Sequence, residues 1–226
     1  MSRQHLDYVG FIAAILSAVS WFVFAYGQLN LPDLSKVDDP LLFFQAIDDA
    51  QFVYLLYGWG GILGTLLCIP YLVAFYKAME QTAPMMLLVL IVSLIGVVLT
   101  IFGFFKPLII VYFHTPLGLA GTADTLPLLK VAVEVSLELF EGPWFLGSFL
   151  LFSLGFGLTA TYAWRTATGP RWLNGAGIVA GLAGLVWLTP FLPSFLDSLT
   201  PLLILVNIVA SIFWSIGLSL VLVNQR

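Results

Sequence analysis

Six long apolar runs, separated by short polar stretches, organise the chain. They cover residues 8–27, 52–76, 85–105, 144–164, 172–188 and 201–223. Each is near the roughly 20 residues that a helix needs to cross a hydrocarbon layer about 30 Å thick. The pattern predicts an all-α fold: a polytopic membrane bundle of six transmembrane helices, forming one domain over residues 1–226. The first run is expected to remain as an anchor. Its apolar stretch exceeds the ~7–15 residues of a signal-peptide core, its head is barely basic, and Ala25-Tyr26-Gly27 is a poor cleavage sequence.

The polar stretches carry their own signals. Between the first two runs, Asp39-Pro40 predicts a helix start, because Asp caps free amides and Pro fits the first helical position. That short helix is expected to run on into the second span. There Gly58, Gly60, Gly61 and Gly64 invite close approach by another helix, and Pro70 predicts a local kink. The third apolar run continues to Phe113, broken only by Lys106-Pro107. A 29-residue helix would be about 43 Å long, more than a bilayer core needs. The span is therefore expected to end near Phe105, with Lys106 at the interface and a loop holding His114, Pro116, Gly118 and Gly121. Pro190 and Pro193 are expected to end the fifth span. Trp144, Trp164 and Trp172 lie beside predicted span ends, as interfacial anchors do.

From Lys130 to Leu139 polar and apolar residues alternate, which is a strand signal. The spacing of Lys130, Glu134, Glu138 and Glu141 also fits a helix, where the four fall within an arc of about 80°. A lone strand beside six helices would leave its edges unpaired, so a helix is expected, leading through Gly142-Pro143 into the fourth span. Its acidic stripe reads first as a solvated face, with Lys130–Glu134 as a surface pair. A sharper reading takes Glu138 or Glu141 below the interface to pair with Lys106, since an ionisable group at membrane depth needs a partner or a polar cavity. Asp38, Asp39, Asp48 and Asp49 read as capping and solvation, and they lack the spacing of a calcium-binding loop.

In the last span Asn207, Ser211, Ser215 and Ser219 recur every four residues and form one polar stripe. Such a stripe packs against another helix and hydrogen-bonds across it or to its own backbone. Ala176, Ala180 and Gly184 repeat at the same spacing in the fifth span, with Gly177 and Gly181 beside them. The two spans are therefore expected to pack closely. A polar substrate path is the competing reading of the stripe.

Composition agrees with the pattern. The chain is 61% hydrophobic and 9% charged, where ordinary soluble domains carry about 25% charged residues. A formal net charge of -4 gives no reason to expect nucleic acid. One cysteine, Cys68, makes no intramolecular disulfide. Arg3, Lys77, Arg165, Arg171 and Arg226 fall on the side of the termini, and Lys36, Lys106 and Lys130 on the other. This predicts a multi-pass protein of the cell membrane with both termini cytoplasmic. The first two helix hairpins share a layout with a long acidic connection, a loose parallel repeat. Gly175-Ala176-Gly177 to Gly181 mimics a dinucleotide fingerprint but follows no strand. His5 and His114 fall on opposite sides. No nucleophile–base set, cofactor site or metal-ligand cluster is legible, and no carboxylate lies in the core of a span.

Gly169-Pro170-Arg171-Trp172-Leu173, the entry Leu139 to Gly147 and the exit Tyr71 to Lys77 resemble, in layout, a broad group of bacterial six-helix membrane proteins of unknown function. The resemblance implies a fold and a bacterial origin and carries over no site residues. The functional expectation is a non-enzymatic accessory or sensor-like subunit that binds partners through its acidic outer segments. The partners expected are membrane lipids and another membrane subunit or a second copy. The alternative is a small transporter or channel for a cation or a lipid-like molecule.

Overall fold

The computed structural model describes residues 3–80, 84–191 and 199–224, and all their regular structure is helical. Pro193 and Arg226 lie outside the described residues. Six helical stretches are long and apolar enough to cross a membrane: Gln4–Leu29, Gln51–Met79, Met86–Leu119, Leu126–Arg165, Arg171–Pro190 and Thr200–Asn224. The elements are α1 (Arg3–Leu29), α2 (Pro40–Asp49), α3 (Gln51–Leu66), α4 (Cys68–Met79), α5 (Met86–Ile109), α6 (Thr115–Leu119), α7 (Leu126–Ser148), α8 (Phe156–Arg165), α9 (Arg171–Ala183) and α10 (Thr200–Asn224). Successive spans pack side by side, and α10 returns to α1, so the six close into a ring.

Local chemistry explains most boundaries. Asp39 caps α2, its Oδ1 accepting from the amides of Leu41 at 2.8 Å and Leu42 at 3.1 Å. α2 does not run on into the second span, because Ala50 leaves helical geometry (φ -98°, ψ 11°) and α3 starts afresh. The second span breaks at Leu67, three residues before Pro70, where proline crowds the preceding turn.

Two further expectations are corrected. No loop follows Phe105: the helix of the third span continues beyond it. Helix passes straight through Lys106-Pro107, with the Ile110 amide bonded to the Lys106 and Pro107 carbonyls. It then widens into a π turn at Ile110–His114 and continues as α6. Thr115 Oγ1 donates to the Ile110 carbonyl at 2.9 Å, so the wide turn leaves that oxygen satisfied. Nor does a separate helix begin at Trp144. α7 runs unbroken through Gly142-Pro143, and a seven-residue π segment, Phe149–Gly155, joins it to α8. Pro143 deprives the Leu139 carbonyl of its usual donor, but Leu139 is exposed, where water substitutes. Trp144 is consequently part-buried against the core, 5.4 Å from Trp187 and 6.2 Å from Phe104 between ring centroids. Trp164 and Trp172 remain exposed at helix ends.

Close backbone approach seats the helices. A Cβ on Gly60 would stand 2.6 Å from the Phe24 amide nitrogen, and one on Gly61 would stand 2.5 Å from the Phe104 ring. One glycine cluster thus serves α1 and α5 on two faces. Inside the ring runs a file of aromatic rings that includes Trp21, Phe24, Phe104, Phe152, Phe156, Phe75 and Trp214.

A second, smaller core lies at the end of the bundle away from the termini. Phe43, Phe44 and Ile47 of α2 pack with Tyr54, Ile110, Val111 and Val133. Gly118 lies directly against the Phe44 ring. Lys130 Nζ donates to the Val37 carbonyl at 2.8 Å and the Asp38 carbonyl at 3.3 Å, and stands 5.3 Å from the centre of the Phe43 ring. It therefore ties α7 to the segment before α2 instead of pairing with Glu134.

Two glycine substitutions should separate close packing from helix propensity. Gly60→Val drives a side chain into the α1 backbone and should lower the melting temperature in detergent sharply. Gly142 has no atom within 4 Å of its would-be Cβ. Gly142→Ala should leave stability unchanged or raise it by up to about 1 kcal/mol.

Candidate functional site

Three polar groupings stand out against the apolar bulk. The first is the ion pair between Lys106 of α5 and Glu141 of α7, Nζ to Oε1 3.0 Å. The lysine side chain is 22% exposed and the carboxylate 50%. Glu138, one turn nearer the start of α7, is exposed and does not reach Lys106. Lys106 lies 20 residues beyond Met86, about 30 Å along the helix axis. That is one hydrocarbon thickness, so the pair stands where the two helices would leave the membrane.

The second grouping is the acidic face of the smaller core. Asp38, Asp39, Asp48 and Asp49 are exposed around α2, as are Glu134 and Glu138 on α7. Asp38, Asp39 and Asp49 border an open hollow of about 440 Å³ with Lys36 on its rim. The cations nearby are engaged: Lys36 with Asp33 at 2.8 Å, Lys106 with Glu141, and Lys130 with main-chain carbonyls. The face keeps a surplus of negative charge. His114 sits beside Ser136, 3.3 Å from Nε2 to Oγ. Among the described residues no three His, Cys, Asp or Glu side chains converge as a metal site would require.

The third grouping is the stripe on α10. Asn207, Ser211, Ser215 and Ser219 are all buried inside the ring. Asn207 bridges two segments: Trp187 Nε1 donates to its Oδ1 at 2.9 Å, and its Nδ2 donates to the Ala180 carbonyl at 2.8 Å. Gly184 makes room for that amide, since a Cβ there would stand 2.8 Å from Nδ2. Ser215 Oγ donates to the Ser211 carbonyl at 2.7 Å. The small residues of the fifth span serve two neighbours: Gly177 lies between Ala160 of α8 and Trp214 of α10, Gly184 between Ser153 and Asn207, and Gly181 against Gly157 of α8.

Opposite the stripe lies a cluster that sequence reasoning missed. Ser17 Oγ of α1 donates to the Gly64 carbonyl at 2.7 Å, and Tyr71 O–H donates to Cys68 Sγ at 2.8 Å. Ser17, Tyr71, Ser211 and Ser215 together line a small cavity at the centre of the ring. They come from three spans; Ser211 and Ser215 belong to the stripe, whereas Ser17 and Tyr71 each look like an ordinary packing residue in their own runs. The only available signal was that Ser17 falls among alanines on a buried face.

Lys106→Met should lower the melting temperature by the equivalent of at most about 1 kcal/mol, because it removes the partner of a half-exposed carboxylate. Glu141→Gln should do the same in part, whereas Glu138→Gln and Lys36→Met should leave it unchanged. Asn207→Leu strands the Trp187 N–H and should cost about 1–3 kcal/mol. Thermal denaturation of the six proteins in one detergent checks both expectations.

Comparison with protein-family models, with curated proteins and with solved structures gives no match to this chain.

Proposed function

We propose that this integral membrane protein acts as a non-catalytic accessory or sensor-like subunit, and that its acidic face docks a basic surface of a partner membrane protein. The observation that carries the reading is the second core. The segment around α2 and the first half of α7 is packed, with Phe44, Ile47 and Val133 all at 0% exposure. Its carboxylates are therefore held on a firm platform, and the three neighbouring lysines are engaged elsewhere. A preformed surface of one sign favours a complementary partner and speeds its encounter.

The distribution of arginine and lysine supports a platform outside the cytoplasm with both termini within it. Bacterial origin rests on the short motifs around Arg171, Glu141 and Tyr71. The transport reading loses support from α10, whose Asn207 is bonded to the fifth span and whose Ser215 is bonded to its own helix. A flux that falls when Asn207 or Glu138 is neutralised would favour that reading instead.

Native mass spectrometry of protein extracted gently from its own membrane tests the proposal. The expected result is a reproducible extra polypeptide that is lost at high salt. It should also be lost from a variant combining Asp48→Asn, Asp49→Asn, Glu134→Gln and Glu138→Gln. A bare chain or a homo-oligomer under all conditions would contradict it.

A further inference from the structure

We infer that the centre of the bundle holds one buried structural water, bound by Ser211 and by the oxygens of Ser17, Tyr71 and Ser215. The inference stands on the cavity that these four side chains line, between α1, α4, the π segment of the fourth span and α10. It offers about 10 Å³ of room for the centre of a water molecule. That is about the minimum for a single water. The rest of the lining is apolar, including Trp21, Phe152 and Ile212.

Hydrogen-bond accounting identifies the occupant. Ser17 donates its proton to Gly64, Tyr71 to Cys68 and Ser215 to the Ser211 carbonyl. Each of those three oxygens keeps lone pairs and has no proton left to give. Ser211 is 2% exposed, and its Oγ has no hydrogen-bond partner among the described residues. A serine in a helix ordinarily returns its proton to the carbonyl four residues back, and Ser211 does not. The site therefore presents one free donor and up to three acceptors. Water matches that set, accepting from Ser211 and donating twice to the others. An ion does not, because no charged side chain lines the cavity to offset its charge.

The position gives the water a role. α1 and α10 meet at the seam that closes the ring, and the site bridges both to α4. A buried hydroxyl left unpaired there is destabilising, so the water helps to hold the seam shut. It also keeps polar bonding local to three helices, with no need of a carboxylate.

A structure of the wild-type protein at a resolution that shows other buried waters decides the matter, with Ser211→Val solved alongside. The expected result is a density peak within about 2.6–3.2 Å of Ser211 Oγ and of at least one of the other three oxygens. In Ser211→Val that peak should be replaced by the valine methyl groups. An empty cavity in the wild type, with Ser211 Oγ turned to the Asn207 carbonyl, would overturn the inference. The wild-type map suffices if the variant does not fold. A peak retained unchanged in Ser211→Val would overturn the assignment of Ser211 as the donor.

Discussion

Helix length against bilayer thickness is the constraint on which the rest of this structure depends. Backbone polar groups in hydrocarbon must be satisfied within the segment, so a span must stay helical until it leaves the lipid. The third and fourth spans go further, with 34 and 40 continuous helical residues. At 1.5 Å per residue they are about 50 and 60 Å long, against a core of about 30 Å. The excess has to stand outside the membrane at one end. Standing side by side, the two helices bury Val111 and Val133 against α2, and the smaller core follows. Lys106 and Glu141 then mark the level at which apolar surroundings give way to polar ones.

Inside the membrane the ring is held by a different means. Lipid tails are as apolar as leucine, so helix association relies on close packing and a few hydrogen bonds. Gly60 and Gly61 let α1 and α5 approach α3, while Gly157 and Gly181 bring the fourth and fifth spans together. Asn207 adds directional bonds to Trp187 and to the Ala180 carbonyl. The polar residues of α10 thus face inward to neighbours and away from lipid.

Much of this was legible in the chain. Six apolar runs predicted six spans, Asp39 marked a helix start that its side chain caps, and the four-residue spacing of Asn207 to Ser219 foretold a stripe that is buried. Helix ends were the weak point. Lys106-Pro107 looks like a stop, because proline costs a hydrogen bond and crowds the turn before it. It does not stop the helix: the Ile110 amide bonds past Pro107. The choice between Glu138 and Glu141 turned on a three-residue step around a helix, which spacing alone does not resolve. The central cavity was invisible because Ser17, Tyr71 and Ser211 meet only when three distant spans close the ring.

Hydrogen exchange of the protein in lipid nanodiscs tests the central claim, that the projecting helices and α2 form one packed platform. Amides from Phe43 to Ile47 and from Lys130 to Glu138 should exchange orders of magnitude more slowly than an unstructured peptide, because they belong to a buried unit. Exchange of these amides within seconds, with the six spans still protected, would show loose connections in place of a platform and would contradict the account.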